Sequence, residues 1–129
     1  MEELLTRITQ KTGLDAATVQ KAVGIILTFL KKEGPPAEVN RLFAAMPGAE
    51  DVAAQSGDGG PGGVMGGFMG MMGGGGGIMA LGTKLMSAGV PMNQMEPLGR
   101  ELFNYGREKA GEDTMGAIVG SIPGLSQFV

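Results

Sequence analysis

Apolar residues recur along this chain at helical spacing, not in the strict alternation of strands. Leu4, Leu5 and Ile8 predict a helix over about 2–12, with Gly13 placed as its left-handed cap. Asp15 stands as a side-chain cap for the next helix, flanked by Leu14 and Val19 at staple positions. Val19, Val23, Ile26, Phe29 and Leu30, widened by Ile25 and Leu27, mark a central helix over about 16–33, touched on more than one side. Lys31 and Lys32 suit its C-terminal end. Gly34-Pro35-Pro36 stops it, and Pro36 opens a third helix over about 36–46. Val39, Leu42, Phe43 and Met46 form that helix's inner face, and Pro47-Gly48 ends it.

Shifting the chain by 76 residues without gaps lays this plan on the C-terminal part. Gly13 falls on Gly89, Pro47 on Pro123 and Gly48 on Gly124. Ile26 meets Leu102, Leu27 meets Phe103, Phe29 meets Tyr105, Leu42 meets Ile118 and Met46 meets Ile122. Identities are few, but the register of glycine and proline suggests an internal repeat. The second set of helices is expected at about 78–88, 93–110 and 112–121, with Pro97 near the first turn of the longest. The expected fold is therefore all-α: two similar three-helix units, 1–54 and 78–129, joined by a Gly/Met-rich segment at 55–77. Units near 50 residues are marginal alone, so the two share one core or pair in an oligomer.

The middle segment is either a linker or a buried Gly-rich helix. Written as a helix, Val64, Phe68 and Met72 make one row with Met65 and Met69 alongside, while Gly66 and Gly70 lie opposite at G-x-x-x-G spacing. Such a helix lacks a solvent-facing side and needs another backbone against its glycines. Val64, Met65, Gly66, Phe68, Met69, Gly70 and Met72 are thus the candidate interaction surface. Gly73 to Gly77 reads as linker, since five glycines cost about 5 kcal/mol relative to alanine in a helix.

The run Thr12-Gly13-Leu14-Asp15, with Ala22-Val23, Leu27 and Phe29-Leu30-Lys31, is followed by Leu42-Phe43-Ala44-Ala45-Met46-Pro47-Gly48-Ala49. Together with Leu85-Met86-Ser87-Ala88-Gly89-Val90 after the Gly-rich middle, it resembles the VcgC/VcgE-type bacterial proteins of unknown function. The resemblance covers most of the chain through helix punctuation. It implies a small all-helical bacterial protein with no established activity, and it carries over no functional residues. It also implies that a secretion signal is common in the group. The acidic start Met1-Glu2-Glu3 does not read as one, and the expected compartment is the cytoplasm.

Composition narrows the chemistry. Thirteen acidic residues against ten basic ones leave a net charge of −3, without the basic stripe of a nucleic-acid binder. The chain has no cysteine and no histidine, so thiolate and imidazole chemistry are excluded. Met65, Met69, Met71 and Met72 carry soft thioethers, but methionine is also the adaptable filler of apolar surfaces, and no metal or other cofactor is expected. Gly82-Thr83-Lys84 has the wrong order and setting for a phosphate loop. Glu2/Glu3, Glu50/Asp51 and Glu112/Asp113 are adjacent acids, which on a helix do not face one another. Glu96 and Arg100 form a solvated i,i+4 pair. The expectation is a non-enzymatic protein acting through self-association, as a homo-oligomer, or through packing on a protein partner. The alternative is a membrane-surface or lipid-associated protein that uses the Gly/Met segment.

Overall fold

The computed structural model describes residues 2–56, 78–122 and 124–128, and among them every regular element is a helix. In order they are α1 (Glu2–Thr12), α2 (Ala16–Glu33), α3 (Pro36–Ala45), α4 (Ala49–Ser56), α5 (Ile78–Ser87), α6 (Met92–Ala110) and α7 (Glu112–Ser121). A 3-10 turn at Leu125–Phe128 follows.

α1 ends where Gly13 turns left-handed at φ 75°, with its N–H on the Thr9 carbonyl at 2.8 Å. Asp15 has the extended conformation of an N-cap, but its side chain makes no capping hydrogen bond, against the sequence expectation. The side chain is exposed, so water solvates the carboxylate in place of the helix. Thr12 organises the corner instead: its hydroxyl donates to the Ile8 carbonyl at 2.7 Å and accepts from the Leu14 N–H at 3.3 Å.

α2 buries Val19, Val23, Ile26, Leu27, Phe29 and Leu30, the stripe of a helix touched on several sides. Each fully buried aliphatic side chain contributes roughly 1.5–3 kcal/mol relative to exposure. Pro36 occupies the first turn of α3, where its missing N–H has no intrahelical partner to lose. Pro97 lies inside α6, deeper than its expected place near the first turn. It therefore removes a helical hydrogen bond there.

The first half carries one helix more than expected. Pro47-Gly48 ends α3, but Gly48 at φ 91° then turns the chain into α4. Glu50 and Asp51 fall in its first turn, where carboxylates favour the helix dipole. Ala49, Val52 and Ala53 are buried at i, i+3, i+4 spacing. The Thr28 hydroxyl of α2 donates to the Ala53 carbonyl at 3.3 Å, and α4 lies along α2.

The 76-residue shift meets the backbone element by element. Helix starts at 2, 16, 36 and 49 correspond to starts at 78, 92, 112 and 125. Gly13 and Gly89 both have positive φ, 75° and 104°, as do Gly48 and Gly124, 91° and 85°. The packing is reciprocal as well. α1 lies on α6 of the other half, and α5 lies on α2; α3 and α7 meet each other; α4 covers α2 as the 3-10 turn covers α6. Buried side chains from both halves form a single cluster.

Candidate interaction surface

The residues singled out from the sequence, Val64, Met65, Gly66, Phe68, Met69, Gly70 and Met72, lie outside the described residues. What the structure does place are the helices on either side of them. α4 runs up to the segment, α5 follows it, and both pack on α2. One helix of the first half thus holds both flanks.

Among the described residues, the large hydrophobic side chains left exposed are Met86 and Met92, at 56% and 73% of their full accessibility. They flank the α5–α6 turn, where Val90 is buried and Gly89 lies against α2: a Cβ on Gly89 would stand 3.7 Å from Thr18 Cγ2. No charged residue occurs from Met86 to Met95. This uncharged corner was not singled out from the sequence. Its signal was an unbroken neutral run, but only the packing shows which of its apolar residues face outward.

A second surface is charged. Arg7 of α1 donates to Glu108 of α6 at 2.7 Å and to Glu3 at 3.2 Å. Its guanidinium lies 5.8 Å from the Tyr105 ring centre, and Lys109 covers the same ring at 5.5 Å. Lys11 reaches Glu101 at 4.0 Å. The hydrogen bond to Arg7 lowers the Glu108 carboxyl from its ordinary value, and the same bond raises the Arg7 guanidinium. Beside this seam lies an open depression of about 320 Å³ lined by Arg7, Gln10, Lys11 and Glu101. Glu3–Arg7 is a local i,i+4 pair that the sequence analysis did not single out, and no local pattern links Arg7 to a residue 101 positions away.

The other candidate groups fall in structural roles. Glu2/Glu3, Glu50/Asp51 and Glu112/Asp113 all occupy first turns of helices. Arg100 donates to Glu96 at 2.7 Å on the exposed side of α6. Gly82-Thr83-Lys84 lies within α5. No group of three or more potential metal-ligating residues gathers among the described residues. Among them, too, no single helix is long and apolar enough to cross a membrane. α1 and α2 together have the composition, but they are bent by 113° and their apolar faces lie in the core. No family model, curated protein or solved structure matches the chain.

Proposed function

We propose that this is a non-catalytic, cytoplasmic bacterial protein, akin to the VcgC/VcgE-type group, that works by self-association through its Gly/Met-rich segment. The two halves are read as copies of one unit that close on each other through a shared core. The observation that carries the reading is the common anchorage of α4 and α5 on α2. The helices on either side of residues 57–77 thus pack on one and the same helix, in a body whose two halves share their core. Val64, Met65, Phe68, Met69 and Met72 supply apolar area, and Gly66 and Gly70 allow close approach of a second backbone. The exposed Met86 and Met92 of the uncharged corner add apolar area on the described body.

The test is sedimentation of the full chain, alone and with neutral phospholipid vesicles, beside a Gly66→Leu/Gly70→Leu variant. The reading expects an oligomer that stays in the supernatant and a variant of reduced mass. Unchanged mass and melting temperature in the variant would reduce the segment to a tether. Co-pelleting with vesicles would favour the lipid-associated alternative.

A further inference from the structure

The reciprocal packing of the halves has a consequence for how two chains meet. Each half places its first helix on the long helix of the other, α1 on α6 and α5 on α2, and the third helices pair at the centre. Nothing in these contacts requires that both halves belong to one chain. We propose that the mating surface between the halves is also an interaction surface for a second copy of this chain. The first half of each copy closes on the second half of the other in the same α1–α6, α2–α5 and α3–α7 contacts. The inference rests on the self-association reading, because it needs something that first brings two copies together.

Three features carry it. The contacts are heterotypic and reciprocal, so two exchanged pairs form a closed two-fold assembly with no mating face left over. The core is shared: Leu4, Ile8, Ile26 and Leu30 of one half and Leu98, Leu102 and Phe103 of the other belong to the same cluster. A first half without its second half therefore bares the same apolar face during synthesis or refolding, and any copy of the second half satisfies it. The connection at 57–77 can reach at most roughly 70 Å, and that bound applies alike to closure within a chain and between two. Covalent connection of the two halves sets an effective concentration on the order of millimolar for closure within one chain. Closure within one chain dominates in dilute solution, and exchange grows as copies are held together.

The chain has no cysteine, so paired thiols report the arrangement cleanly. Lys11 and Glu101 face each other across the halves at 4.0 Å, while Lys31 and Glu50 face each other within the first half, also at 4.0 Å. The full-length K11C/E101C and K31C/E50C variants are refolded from denaturant over a range of concentrations, treated with a short bis-maleimide, and run on a denaturing gel. Exchange gives two-chain products with K11C/E101C, with a two-chain to one-chain ratio rising about tenfold per tenfold in concentration. K31C/E50C must stay within one chain. One-chain products alone from K11C/E101C, with a wild-type chain that sediments as an oligomer, overturn exchange and leave self-association standing. One-chain products with a monomeric wild type overturn both. Two-chain products from both pairs mean random collision and overturn exchange.

Discussion

α2 and α6 take equivalent places in their halves but fill them differently. Ile26, Leu27 and Phe29 of α2 correspond to Leu102, Phe103 and Tyr105 of α6 under the shift, and all six are buried. The next pair departs: fully buried Leu30 corresponds to Gly106. At Gly106 a Cβ would stand 2.8 Å from Met115 Sδ and 3.1 Å from Leu42 Cδ1. Met115 in turn corresponds to the smaller Val39 of the first half. Under the shift Leu30 and Val39 become Gly106 and Met115, so the larger side chain stands on the long helix in one half and on the third helix in the other. Helix starts match under the shift while the side chains are fitted to a single core, where density leaves no room for independent change.

That comparison breaks most visibly at its centre. Ile26→Ala and Leu102→Ala remove side chains that are each 2% exposed at equivalent points. Each should cost about 2–5 kcal/mol in urea unfolding, and similar losses would show that the halves contribute alike. A loss under about 1 kcal/mol at both sites would mean the buried faces are misassigned.

The exchange of volume comes next. Gly106→Leu should cost roughly 1–3 kcal/mol by overpacking against Met115 and Leu42. Adding Met115→Val recreates the arrangement of the first half and should recover part of the loss. Additive costs in the double-mutant cycle would show that the two positions do not share one space.

The turns separate the halves further. Gly48→Ala and Gly124→Ala both force a left-handed conformation on a side chain, at about 1–2 kcal/mol each. Gly48 leads into the eight-residue α4, with Val52 and Ala53 buried, whereas Gly124 leads into a four-residue 3-10 turn. Helical circular dichroism should therefore fall more for Gly48→Ala. Equal loss of helical signal would place the two turns on the same footing.

Much of this architecture was legible because helix punctuation is local. Gly13, Gly34-Pro35-Pro36 and Gly89 mark ends that need only the chain's own φ and N–H groups, and α1, α2 and α7 have the predicted bounds. α4 was missed because a helix of eight residues has too few turns to show a period, and its signal, Ala49, Val52 and Ala53, gains meaning only against α2. Pro97 misled because it was placed near the first turn, although as the sixth residue of α6 it lies beyond the N–H groups that lack intrahelical partners. Of the surface features, Glu96–Arg100 was readable from spacing, whereas Arg7–Glu108 depends on how the halves meet.

The smallest expected effect lies at that ionic seam. The Glu108 carboxyl is held below its ordinary value of 4.5 by the hydrogen bond from Arg7. A lowered carboxyl adds stability above its unfolded value, and the contribution fades as pH falls through the lower folded value. Both partners are well exposed, with side-chain accessibilities of 35% and 54%, so water and salt screen most of the attraction. Glu108→Gln should lower the melting temperature slightly near pH 7. The gap to the wild type should narrow as pH drops below about 4.5 and as salt is added. Glu50→Gln removes an exposed carboxylate from the longer 4.0 Å pair within the first half and serves as the comparison. A wild-type-to-variant gap that persists unchanged in acid would assign the loss at Glu108 to packing between α1 and α6, with the charge pair contributing nothing.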